Sequence, residues 1–148
     1  MEAEPAFVDT NVLVYANQAS SRHHGAAYAM LAGAAADGAA LWISGQVIRE
    51  YLAVVTRPQD GGAPLAMPTA LDRVRAFTAR LNVAEDGPEV RDRLRDLLLA
   101  YPTGGRQVHD ANIVATMLVH GLRRLMTFNG ADFRRFAAEI ELVAPPAR

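Results

Sequence analysis

The sequence contains no cysteine and no lysine. Without cysteine there are no disulfides, no thiolate metal sites and no cysteine nucleophile, and the chain is compatible with a reducing cytoplasm. Without lysine, all 15 basic residues are arginine, and any mechanism that requires a lysine is excluded. No apolar run reaches the ~18 residues needed to span a bilayer, so no membrane association is expected. The opening stretch MEAEPAF is acidic and lacks a basic segment leading into a long apolar one, so no signal peptide is expected and the expected location is cytoplasmic. Charge of either sign is also not in excess: the net charge is −1. A nucleic-acid partner would therefore have to be held by a local basic patch or by metal. What is present is a chain of 148 residues, 51% hydrophobic and 21% charged. That size and composition describe a single globular domain over residues 1–148, without repeats or low-complexity linkers.

The pattern along the chain alternates short apolar runs with helical segments. Pro5–Val8 reads as a buried strand ending at Asp9, followed by a helix over Thr10–Ala16. Ser20 or Ser21 can cap an alanine-rich helix that stops at Asp37-Gly38. Leu41–Ile43 is a second strand, and Ser44 opens a helix that ends before Pro58. The proline- and glycine-rich stretch Pro58–Pro68 is a loop, followed by helices over roughly Thr69–Leu81 and Pro88–Tyr101. A loop at Pro102–Gly105, a helix over Val108–His120 ended by Gly121, and a strand at Arg124–Thr127 come next. A turn at Asn129-Gly130, a short helix from Asp132 and a last strand at Ile140–Val143 complete the chain. This order predicts an α/β fold: a three-layer α/β/α arrangement around a mainly parallel sheet, with ligands bound beyond the carboxyl ends of the strands.

Most acidic residues sit among arginines on helix faces, as ordinary solvated surface. Four do not. Asp9 lies between Ala6-Phe7-Val8 and Val12-Leu13-Val14, where an unpaired charge is expensive. Glu50 sits on the shoulder of the apolar stripe Val47, Ile48, Tyr51, Leu52, Val55. Asp110 shares the inward face of Ile113 and Val114, and Asp132 follows the strand at Leu125–Thr127. Helix capping explains Asp9, Asp110 or Asp132 taken singly, and a surface position beside Arg49 explains Glu50. As a set they lie near one edge of the sheet. Carboxylates ~5 Å apart repel by roughly 3 kcal/mol per pair at an effective dielectric of 20. A divalent cation relieves that repulsion, and oxygen-only ligands suit Mg²⁺ or Mn²⁺ rather than Zn²⁺.

The same residues carry a family resemblance. Phe7-Val-Asp-Thr-Asn-Val-Leu13, Ile43-Ser-Gly-Gln-Val-Ile-Arg-Glu-Tyr-Leu52, His109-Asp-Ala-Asn-Ile-Val-Ala-Thr116 and Thr127-Phe-Asn-Gly-Ala-Asp-Phe133 resemble, in order, the four motifs of PIN-domain ribonucleases. Within these, the chain is most similar to the VapC-type toxins of toxin–antitoxin pairs. The resemblance implies Mg²⁺- or Mn²⁺-dependent endonucleolytic cleavage of RNA, leaving a 5′-phosphate and a 3′-hydroxyl. It places catalytic and metal-binding roles on Asp9, Glu50 and Asp110. Many members have an acid where Asn129 stands here, so the fourth role falls to Asp132 or is shared with Asn129. Thr10 and Asn11 are supporting candidates or simple caps. Arg57, Arg106, Arg134 and Arg135 are candidates for holding the RNA backbone, or are solvated helix ends. His109 and the pair His23-His24 read as structural rather than as ligands. The resemblance further implies a small antitoxin partner that covers the acidic pocket, and a homodimer, with the stretch Ala26–Ala36 as one candidate face. Two other readings are a catalytically inactive PIN-fold module that binds RNA or protein, and a phosphatase with Asp9 as nucleophile. Asn129 supports the former. Asn11 in place of a second aspartate, and the absence of lysine, argue against the latter.

Overall fold

The computed structural model describes residues 3–59 and 62–147. Met1 and Glu2 of the N-terminal stretch, and Asp60 and Gly61 of the expected loop, lie outside the described residues. The chain opens with strand β1 (Ala6–Val8), all three residues buried, and passes through Asp9 into helix α1 (Thr10–Ala16). Helix α2 (His24–Ala36) follows, then β2 (Leu41–Ser44), α3 (Gly45–Val55) and α4 (Met67–Arg80). Strand β3 (Asn82–Ala84), α5 (Pro88–Ala100), α6 (Gln107–Val119), β4 (Arg124–Met126), α7 (Gly130–Phe133), a 3₁₀ turn at Arg134–Phe136 and β5 (Glu141–Val143) complete the order.

The five strands form one sheet in the order β3-β2-β1-β4-β5, with every pairing parallel. Parallel neighbours need crossovers, and the helices supply them. The chain runs outward from β1 through β2 to β3, returns through α5 and α6 to β4, and then runs outward the other way. Right-handed crossovers in opposite directions put their helices on opposite faces, which gives the expected three layers. Helices α1, α2, α3 and α4 accordingly pack among themselves, and α5 packs on α6. The strand order reverses between β1 and β4, the place where α/β sheets open a crevice at their carboxyl edge.

The core is apolar and closed. Phe7, Val12, Ile43, Val47, Val114, Leu125 and Phe136 are among its fully or almost fully buried members. Burial of a side chain such as Phe7 contributes about 1.5–3 kcal/mol relative to leaving it in water. Helix ends follow local chemistry. The Ser44 hydroxyl accepts from the Val47 amide and starts α3, and Gly121, at φ 71°, allows the chain to leave α6 in a left-handed conformation.

Some expectations shift. Helix α2 starts at His24, not beside Ser20 or Ser21, because the Ser21 hydroxyl accepts from the His23 amide inside the preceding turn. Helix α4 begins two residues before Thr69, with Pro68 in its first turn, where the missing N–H costs nothing. Strand β3 was not foreseen. The short helix starts at Gly130 with Asn129 at its cap position, so Asp132 lies within it rather than opening it.

Candidate active site

Four carboxylates from four elements line one pocket of about 790 Å³: Asp9 from the β1–α1 junction, Glu50 from α3, Asp110 from the first turn of α6 and Asp132 from α7. The pocket lies at the carboxyl edge of the sheet, beyond the ends of β1 and β4. Thr10, Asn11, Asn129, His109, Arg57 and Arg106 share its wall. Asp9 is buried. Glu50 and Asp110 are half-buried, and Asp132 is exposed.

Asp9 is fixed on both oxygens. Its Oδ1 accepts from the Thr10 amide at 2.8 Å, so it does cap α1. Its Oδ2 accepts from the Asn11 amide group at 3.1 Å and from the Thr127 hydroxyl at 2.8 Å. Capping and pocket lining, alternatives on the sequence, are both met by this one side chain. The Asn11 Oδ1 in turn accepts from the Phe128 amide, and the Thr127 hydroxyl accepts from the Asn129 amide, so the ends of β1 and β4 are tied together. Glu50 is held by the Thr10 hydroxyl on Oε2 at 2.7 Å and by the Gln46 amide group on Oε1 at 2.9 Å. Thr10 and Asn11 thus act as supports for the acids. Thr127 and Gln46 were not singled out from the sequence. The only signal there was a polar residue beside an apolar run, which many solvated positions share.

The electrostatics are those of crowded negative charge. The Asp110 carboxyl is pushed up to about 6, first by burial and then by the charges of Asp132, Asp9 and Glu50, with Arg135 opposing. Burial also raises Asp9, and Glu50 adds to the effect, while hydrogen bonds from Thr127, Thr10 and Asn11 act against it. Among the described residues no three acidic or imidazole side chains close up into a ready-made metal cage. The carboxylates surround a cavity instead. That donor set fits a hard divalent ion of the Mg²⁺ class, which keeps several waters and takes further oxygens from a substrate phosphate. A cation there would remove the repulsion that raises Asp110.

The other candidates separate. Arg57 and Arg106 are exposed and line the pocket. Arg134 and Arg135 are not among its described lining residues; Arg135 donates to the Pro102 carbonyl at 2.9 Å. His23 packs against Tyr15 and Phe128, and the His24 ring contacts the Tyr15 carbonyl through Nδ1; neither is among the described lining residues of the pocket.

The PIN domain family model matches residues 6–139. Ribonuclease VapC48 of Mycobacterium tuberculosis is 32% identical over 133 residues, covering 86% of this chain and 89% of that protein. Ribonuclease VapC37 of the same species is 28% identical over 142 residues, covering 95% and 96%. Among solved structures, M. tuberculosis VapC20, described as a sarcin-ricin loop cleaving toxin, superposes with a TM-score of 0.71 at 18% identity, covering 95% of this chain and 99% of that one. A toxin–antitoxin complex from Klebsiella pneumoniae gives a TM-score of 0.67 at 23% identity, covering 97% and 99%. The chain belongs to the PIN-domain family, among its VapC-type ribonucleases.

Proposed function

We propose that this protein is an endoribonuclease toxin of a toxin–antitoxin pair, and that Asp9, Glu50, Asp110 and Asp132 hold Mg²⁺ or Mn²⁺ for phosphodiester hydrolysis. The observation that carries the reading is the convergence of four acids from four elements on one pocket, where burial and then the charges of the other three push the Asp110 carboxyl up. When bound, the ion supplies Lewis-acid activation of water and neutralises charge on the phosphate. The chain's own residues do the rest. Asp9, locked by Thr10, Asn11 and Thr127, presents a fixed carboxylate at the floor of the pocket. Glu50 and Asp110, on facing helices, hold the walls, and Asp132 takes the fourth position at the rim, with Asn129 beside it as a neutral oxygen donor. Arg57 and Arg106, exposed on the pocket wall, receive the phosphates that flank the scissile bond.

The same net-negative pocket is suited to an arginine-bearing tail of a small antitoxin. A homodimer through α2 accords with its surface: the helix carries no Asp, Glu or Arg from His24 to Ala36, and Tyr28 on it is 63% exposed. The whole chain constitutes a single PIN domain in this reading.

The test is cleavage of purified RNA by purified protein with Mg²⁺ or Mn²⁺. Chelation by EDTA and the Asp9→Asn substitution should each abolish it. Undiminished cleavage by Asp9→Asn would overturn the assignment.

A further inference from the structure

Glu50 Oε1 is held by a side chain that does not itself line the pocket. That side chain is Gln46, buried one turn earlier on α3. Its amide nitrogen has two hydrogens and both are used: one goes to Glu50 Oε1 at 2.9 Å, the other to the backbone carbonyl of His109 at 2.8 Å. Its Oε1 accepts from the Asn112 amide nitrogen at 2.7 Å. The second hydrogen of Asn112 goes to Asp86 Oδ2 at 3.0 Å, in the loop between β3 and α5.

The direction of this chain of bonds is forced. A backbone carbonyl and an ionised carboxylate only accept, so the His109 carbonyl fixes the Gln46 amide nitrogen on its side and Asp86 does the same for Asn112. Turning either amide over would set oxygen against oxygen at bonding distance. Glu50 therefore always meets a donor. His109 and Asn112 flank Asp110 on α6, so the relay also ties the helix bearing Glu50 to the helix bearing Asp110.

We propose that Gln46 is a positioning residue that sets the orientation of Glu50 and its separation from Asp110 for divalent-ion binding, with Asn112 and Asp86 fixing the Gln46 amide. This inference rests on the reading of Glu50 as a metal ligand. Outer partners of this type typically govern about 10–100-fold of metal affinity.

The experiment is titration of the full-length protein with Mn²⁺ alone, without RNA, followed calorimetrically or by the electron paramagnetic resonance of free Mn²⁺. Gln46→Met should weaken binding about 10-fold, and in a Glu50→Gln background the same change should have less than about 2-fold effect. Unchanged affinity in a folded Gln46→Met protein, or equal weakening in both backgrounds, overturns the inference while leaving the metal reading intact. Wild-type protein that binds no Mn²⁺ overturns both. Should Gln46→Met not fold, Asp86→Ala decides, because Asp86 is exposed and its loss only frees the far end of the relay. Weakening of about 3-fold supports the proposal and unchanged affinity refutes it.

Discussion

Replacing Asp110 by asparagine is expected to stabilise the metal-free protein at pH 8 while removing its nuclease activity. The Asp110 carboxyl sits at about 6 in the fold against an ordinary value of 3.8, because burial and the charges of Asp132, Asp9 and Glu50 disfavour its ionised form. A displacement of that size corresponds to about 3 kcal/mol between the two protonation states. Asp110 is half-buried, and solvent screening reduces the usable part to about 1–2 kcal/mol. The sign follows from proton binding. Between 3.8 and about 6 the folded chain holds this proton more tightly than the unfolded chain, so raising the pH through that window costs stability. Below it the carboxyl is neutral in both states and the penalty vanishes. The asparagine variant never carries the charge. Its melting temperature should exceed that of the wild type by about 2–8 °C at pH 8 in EDTA, and the gap should close near pH 4. Adding Mn²⁺ should raise the wild-type midpoint and leave the variant almost unmoved. Differential scanning calorimetry across pH, with and without Mn²⁺, reads all of this. A variant less stable than the wild type at pH 8 by a margin that does not change on acidification would refute the electrostatic account.

Other predictions rest on separate features. Asp9→Asn should lower Mg²⁺-dependent cleavage by about 100-fold or more while far-ultraviolet circular dichroism stays native, since asparagine keeps one oxygen to accept from the Thr10 amide and cap α1. Ser44→Ala removes the hydroxyl that accepts from the Val47 amide at the start of α3, and urea denaturation should show a loss of about 1 kcal/mol. The Tyr51 hydroxyl is buried near the Arg73 guanidinium but without a well-aligned hydrogen bond among the described residues, so Tyr51→Phe should change stability by less than about 1 kcal/mol in the same assay.

The sequence disclosed Asp9, Glu50 and Asp110 because each is a charge in a place where charge is costly. Asp9 sits inside an apolar run, and Glu50 and Asp110 share faces with buried residues. The strands β1, β2 and β4 were legible for the complementary reason, since their residues are almost all buried. Strand β3 was not. Of Asn82, Val83 and Ala84 only the last is buried, and three residues at a sheet edge carry no period to read. Thr127 and Gln46 were silent because their roles depend on partners far along the chain, 118 residues for Thr127 with Asp9 and 63 for Gln46 with His109. Asn129 and Asp132 both reach the pocket wall, so the sequence's two alternatives for the fourth position lie side by side.

The reversal of strand order beside β1 has a consequence for synthesis. One wall of the pocket stands on β1, made first, and the opposing wall on β4 and α7, made almost last. A nascent chain halted before Arg124 already holds three of the four acids yet has no strand to seat against the open side of β1. The four-acid pocket is thereby completed only once nearly the whole polypeptide has been made.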